Sequence, residues 1–171
     1  MPPPAILLVE VEMHRALMLI ALAAGPAHAS DEFEAPANAS VSFGAGPLLV
    51  DEGASGGVGL SYSLVPHLAL TLEAQGAINS NGDTGLLASA GLNATLLPRH
   101  RVSPYVLANY GWGQAYQDNG KAIQLGAGLS ARVDRRWSAF VETRFTVIDA
   151  GGYDMPYLDW PLRAGVRLDL P

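Results

Sequence analysis

The sequence contains no cysteine, so neither a disulfide framework nor a thiolate metal site is open to it. It is also poor in charge. Asp, Glu, Lys and Arg together make up 15% of its 171 residues, against about a quarter in an ordinary soluble domain. The charge that is present sums to −6, which gives nucleic acid no electrostatic reason to bind. No run of about 20 apolar residues occurs, so no transmembrane helix is expected. If this chain crosses a membrane, it does so with strands.

The residues that remain are apolar and small. Hydrophobic residues make up 49% of the chain and glycine occurs 19 times. The length suits one domain. The clearest stretch runs from Ile123 to Val147. Ile123, Leu125, Ala127, Leu129, Ala131 and Val133 alternate with Gln124, Gly126, Gly128, Ser130 and Arg132. Asp134, Arg135 and Arg136 form a short polar turn. Trp137, Ala139, Val141, Thr143, Phe145 and Val147 then alternate with Ser138, Phe140, Glu142, Arg144 and Thr146. A period of two means strand, because successive side chains leave a pleated backbone on opposite faces. Gly126 and Gly128 are no phosphate loop, since the third glycine and the following helix are both missing.

The same period organises the chain from Asn38 onward. Val41, Phe43 and Ala45 form one apolar face; Val58, Leu60, Tyr62 and Leu64 the next; then Leu68, Leu70, Leu72 and Ala74. Leu86, Ala88, Ala90, Leu92 and Ala94 follow, then Val106, Ala108, Tyr110 and Trp112, with Tyr105, Leu107 and Asn109 opposite. The last strand sets Leu162, Ala164, Val166, Leu168 and Leu170 against Arg163, Gly165, Arg167 and Asp169. This predicts eight strands of about ten residues, the length that crosses a bilayer when tilted. Connections are expected to alternate in length. Pro47–Ala54, Asn79–Thr84, Ala115–Lys121 and Ile148–Tyr157 read as the longer set. Val65–His67 and Asp134–Arg136 read as the shorter set, with Leu97–Ser103 intermediate.

A targeting signal precedes the strands. Met13, His14 and Arg15 give a basic start, Ala16 to Ala24 an apolar run, and Ala27, His28 and Ala29 a small-x-small cleavage pattern. Residues 1–29 therefore read as a secretory signal cleaved after Ala29. Met1 to Glu12 fit it poorly and point to Met13 as the true start. Residues 30–37 are an acidic lead-in, and 38–171 the strand domain.

The facing of the strands decides the environment. One face is apolar and uncharged throughout. The other holds Glu73, Gln75, Asn93, Gln124, Arg132, Glu142, Arg144, Arg163 and Arg167 among Gly, Ser and Ala. A solvated surface would carry many more long charged residues, whereas a few such side chains can fill the inside of a narrow barrel. The expectation is an all-β, eight-stranded antiparallel up-and-down transmembrane barrel with a polar, ion-paired lumen. With a periplasmic N-terminus, Tyr62 and Trp137 fall at the periplasmic interface, and Trp112, Tyr116, Tyr157 and Trp160 at the outer one. Such an aromatic girdle suits amphipathic rings. Asp51, Glu52, Asp83, Asp118, Asp149 and Asp154 fall on the outer side; His67, Arg99, His100, Arg101, Arg135 and Arg136 on the periplasmic side.

With these strands, the signal, and segments such as Pro104 to Val106 and Gln124 to Gly128, the chain resembles the small OmpA/OmpX-type outer-membrane barrels, porin-family-like in architecture. The resemblance covers about Asn38 to Leu170. It departs at the end, where Leu168, Asp169, Leu170 and Pro171 stand in place of the terminal aromatic that such barrels commonly carry. It implies a Gram-negative cell envelope, export through the cleaved signal, insertion by the barrel assembly machinery, contact with membrane lipid and lipopolysaccharide, and a monomer.

A structural or surface-interaction role without catalysis, cofactor or metal is the expected function. A narrow gated channel, a lipid-modifying outer-membrane enzyme and a soluble lipocalin-like periplasmic carrier are the alternatives. The enzyme reading needs a serine beside a histidine and an acid. Within the strand domain only His67 and His100 are available, and both fall in periplasmic turns.

Overall fold

The computed structural model describes residues 39–49, 52–115, 118–149, 157–159 and 161–170. The expected signal (1–29), its alternative start and the lead-in (30–37) lie outside these. All regular structure in the described residues is strand: β1 Ala39–Leu48, β2 Gly53–Val65, β3 Leu68–Asn79, β4 Thr84–Thr95, β5 Val102–Ala115, β6 Asp118–Arg132, β7 Trp137–Asp149, β8 Tyr157–Asp159 and β9 Leu162–Leu170.

Each strand from β1 to β7 pairs antiparallel with the next. β9 closes the circle, pairing with β7 from Trp137↔Leu168 to Thr143↔Leu162 and with β1 from Ala39↔Leu170 to Ala45↔Ala164. β8 continues the same register on β7, at Thr146↔Asp159. The Arg144 N–H bridges the gap by donating to the Pro161 carbonyl at 3.2 Å. β8 and β9 are thus two parts of one stave, and the molecule is a closed eight-stranded antiparallel barrel. Closure leaves no sheet edge, which is what an environment without water demands of a backbone.

Two turns show their sequence logic directly. Between β3 and β4, Asn79 Oδ1 accepts the N–H groups of Asn81 (3.0 Å) and Asp83 (2.9 Å), and Gly82 takes a φ of 85°. Asn starts such a turn and glycine completes it because it has no Cβ to clash there. Between β6 and β7, Asp134 Oδ1 accepts the N–H groups of Arg136 (2.7 Å) and Trp137 (2.9 Å).

The expected alternation of long and short connections is not what the barrel shows. Pairing runs on to Leu48↔Gly53 and Ala115↔Asp118, so β1–β2 and β5–β6 are joined by residues 49–52 and 116–117 only. The glycines, serines and asparagines flanking these sites resemble loop composition, yet each keeps a backbone that joins the ladder. Pro47, which has no N–H, falls just after the β1–β9 ladder ends at Ala45↔Ala164. The end opposite Ala39 and Leu170, the first and last strand residues (the end carrying the termini is the end where these two lie), is therefore built largely of tall hairpins.

Candidate functional site

Burial separates the two faces of every stave. Phe43, Leu60, Leu72, Tyr110, Trp112 and Leu125 are each at least 50% exposed and point outward. Glu142, Arg144, Arg163, Gln124 and Tyr105 point inward and are at most 4% exposed. The molecule is inside-out relative to a soluble barrel: ionic residues fill its centre and apolar residues cover its outside. A soluble carrier would need the reverse.

The lumen is layered. Nearest the end opposite the termini, Leu87, Ala122 and Ile148 form a buried apolar cluster. Leu87 and Ile148, with Leu48, Pro161 and the polar residues Ser55, Asn79, Gln114, Gln124 and Thr146, also line a cavity of about 50 Å³. Next comes an amide and hydroxyl layer. Gln75 and Gln124 exchange side-chain amide hydrogen bonds at 3.3 Å, and Gln124 also accepts from Ser89 (3.3 Å) and donates to Thr146 (3.1 Å).

Below this lies the ionic layer. Arg144 on β7 reaches across to Glu73 on β3, donating from Nη1 to Oε2 and from Nη2 to Oε1 (2.8 Å). The same guanidinium donates from Nε to Glu142 Oε1 at 2.9 Å. Glu142 also accepts from the Tyr105 hydroxyl at 2.7 Å and lies 3.5 Å from Arg163. Gln75 and Asn109 donate to Glu73 (2.8 and 3.4 Å), and Thr71 donates to Asn109 (3.1 Å). A bidentate guanidinium–carboxylate pair is among the strongest polar contacts in proteins. Buried in this way it still needs its remaining donors and acceptors satisfied, and the amides of Gln75 and Asn109 do so for Glu73.

Nearer the termini, Arg167 lies over the rings of Tyr105 and Phe140, 5.8 and 6.0 Å from their centroids. Arg132 faces Asp169 at 3.8 Å. Asn93 is buried on the inner face beside Arg167 and Asp169, away from the ionic layer.

Inward glycines make room for the large residues. A Cβ on Gly128 would sit 2.6 Å from the Tyr105 ring, and one on Gly44 2.9 Å from the Phe140 ring. The space those rings occupy exists because the facing strand carries no side chain.

Of the residues singled out from sequence, Glu73, Gln75, Gln124, Glu142, Arg144 and Arg163 meet in one cluster, while Arg132, Arg167 and Asn93 lie closer to the termini. Tyr62 and Trp137 point outward at the end that carries the termini, opposite Ala39 and Leu168 respectively, and Trp112 points outward toward the other end. Tyr116 and Trp160 lie outside the described residues, and of Tyr157 only the backbone is described. Sequence reasoning passed over Tyr105, Phe140 and Thr71 as members of the network, and Leu87 and Ile148 as a separate apolar layer. The signal for Tyr105 and Phe140 was a large residue on a face whose neighbours are glycine.

No protein-family model and no curated protein sequence matches the chain. Solved structures do. Neisserial surface protein A (NspA) superposes with a TM-score of 0.69 at 16% identity, over 80% of this chain and 100% of that one. The N-terminal β-barrel domain of Pseudomonas aeruginosa OprF gives 0.58 at 16% identity, over 78% and 98%. The outer membrane enzyme PagL gives 0.52 at 15% identity, over 77% and 99%. The fold is that of the small transmembrane β-barrels. At these identities the likeness is one of architecture. Proteins of the same architecture include one described as a surface protein and one described as an enzyme, so activity has to be argued from this chain's own residues.

Proposed function

We propose that this chain is a monomeric outer-membrane barrel of a Gram-negative cell envelope, with a structural or surface-interaction role and no catalysis. The observation that carries this reading is the filled lumen. The Glu73–Arg144 pair spans the interior with an apolar layer beyond it, and an eight-stranded barrel is just wide enough for its own side chains. The outward band of Phe, Leu, Tyr and Trp supports contact with membrane lipid. Residues 1–29 then act as the export signal, and the barrel assembly machinery and lipopolysaccharide are the partners such a position implies.

The lipid-modifying alternative finds little support in the disposition of its needed groups. His67 uses Nδ1 on the Thr95 carbonyl at 3.1 Å. Ser103, the serine nearest His100 in sequence, donates its hydroxyl to the carbonyls of Leu97 (2.6 Å) and His100 (3.0 Å) and not to an imidazole.

The test is cell fractionation combined with gel mobility of unboiled and boiled samples. An outer-membrane band whose mobility shifts on boiling is the expected result. A soluble periplasmic protein without a shift would overturn the proposal. Mass spectrometry of lipid A from cells with and without the protein checks the non-catalytic part; a change in acylation would overturn that.

A further inference from the structure

At the end carrying the termini the lumen opens into a polar vestibule. Two cavities of about 60 and about 70 Å³ meet there and share Arg167 and Asp169. By this measure one water needs roughly 10–15 Å³, so either lobe has room for several waters or one small ion. Among the described residues the larger lobe is lined by three arginines, Arg101, Arg132 and Arg167, with His100 and one acidic residue, Asp169. Asp169 lies toward Arg132, at 3.8 Å. Ser130 and Ser138 line the same lobe.

Arg167 is the unbalanced charge. In the ionic layer two carboxylates, Glu73 and Glu142, stand against two guanidiniums, Arg144 and Arg163. Arg167 has no such close counterpart: among the described residues no carboxylate lies within ion-pair distance of it, although Asp169 lines both cavities beside it, and its buried Nε, like Nε and Nη1 of Arg163, has no hydrogen-bond partner. The Tyr105 and Phe140 rings hold it in place from one side, and the rest of the residue lines both cavities. A fixed guanidinium facing a small, hydroxyl-lined space matches the geometry of an oxyanion, which accepts several hydrogen bonds at once.

We propose that this vestibule binds a small tetrahedral oxyanion of the phosphate or sulfate class, between Arg167 and the hydroxyls of Ser130 and Ser138. The ligand enters from solution at the end where both cavities lie. The inference needs only the folded barrel and is independent of the role proposed above.

The experiment titrates inorganic phosphate at constant ionic strength into the full barrel folded in maltoside micelles, which contain no phosphate. Nuclear magnetic resonance follows the Arg167 and Ser138 signals. Saturable shifts with a dissociation constant in the millimolar range are expected. Arg167→Gln weakens binding at least tenfold, and Arg167→Lys recovers part of the loss. Ser138→Asp places a carboxylate in the cavity without altering Arg167 and abolishes the response; it decides the matter if Arg167→Gln fails to fold, as judged by the mobility shift on boiling. A second arm adds phosphatidylglycerol to the micelles with no free phosphate, and the same signals stay unmoved. Three results would each overturn the proposal: no saturation by phosphate, equal binding by wild type and Ser138→Asp, or a response to the lipid headgroup alone.

Discussion

Glu73 and Arg144 lie 71 residues apart in sequence, on staves β3 and β7, yet they meet through a paired contact across the barrel interior. Arg144 is 3% exposed and holds Glu142 with the same guanidinium. Removing one partner of such a pair leaves an uncompensated buried charge, at a cost of about 3–5 kcal/mol. Glu73→Leu and Arg144→Leu should each lower stability by roughly that amount. The double variant should lose clearly less than the sum, because no orphan charge remains from this pair. Urea unfolding in lipid vesicles, followed by tryptophan fluorescence, checks both statements. Strict additivity would mean that the pair is not coupled in the membrane.

Gly44 and Phe140 provide a packing test. The nearest atoms that a Cβ on Gly44 would meet belong to side chains, the Phe140 ring at 2.9 Å and Arg163 Nη2 at 3.3 Å. Gly44→Ala should therefore destabilise by about 1–3 kcal/mol, the usual cost of overpacking. In a Phe140→Leu background the ring edge is gone and the same substitution should cost less than half as much. A double-mutant cycle in the same unfolding assay gives the coupling.

These two relationships mark where sequence stops being informative. The period of two reveals the strands and assigns each residue to a face, so Glu73, Glu142, Arg144 and Arg163 are all recognisable as interior. Which carboxylate meets which guanidinium depends on barrel closure and stagger, and neither is written in any one strand. Leu87 and Ile148 are hidden for a different reason. They interrupt the polar face near strand ends, where a short apolar run has no phase. The Gly- and Asn-bearing segments beside Gly53 and Asp118 mimic loops, because the residues that suit turns are also small enough to line a narrow lumen.

The outward face makes a depth-dependent prediction. Leu125 lies mid-strand opposite Ala108 and Phe145, and is 55% exposed. Leu125→Arg should destabilise the inserted barrel by roughly 2–4 kcal/mol, the cost of a guanidinium near the bilayer midplane. Leu129→Arg, closer to the β6–β7 turn, should cost less, because the side chain can reach the interface. Ser130→Ala, on the inner face, should stay within about 0.5 kcal/mol. Refolding yields into vesicles, read as the fraction of heat-shifted protein, rank the three. Equal tolerance of Leu125→Arg and Ser130→Ala would mean that the outward face does not meet lipid.

The β6–β7 turn gives a pH prediction outside the membrane. The Arg136 N–H, and then the Trp137 N–H, donate to Asp134 and hold its carboxyl below the usual range near 3.9. A lowered folded pKa means that the unfolded chain takes up the proton first as pH falls. The turn's contribution is therefore fully present above the ordinary Asp value and is lost as pH drops through the lowered one. A carboxyl titration of Asp134 by magnetic resonance should show a midpoint below 3.9. Asp134→Ala should remove this part of the pH dependence and leave stability at neutral pH lower than wild type. A midpoint at or above the ordinary value would show that the two backbone hydrogen bonds do not persist in micelles.

The last prediction concerns which layer seals the lumen. If the ionic layer were the only barrier, breaking it would open a path, since two fewer charged side chains leave a polar, wettable gap. The Leu87, Ala122 and Ile148 cluster lies beyond it toward the end opposite the termini, and an apolar constriction excludes water and ions even where some free volume remains. Glu73→Ala combined with Arg144→Ala should thus stay silent in planar bilayers. Adding Leu87→Gly and Ile148→Gly to that pair should produce discrete conductance steps, with the folded state of each variant verified by its mobility shift on boiling. Conductance in the double variant would assign the seal to the ion pair alone. Silence in the quadruple variant would assign it to the glutamine layer of Gln75 and Gln124, whose mutual hydrogen bonds would then close the barrel without either neighbour.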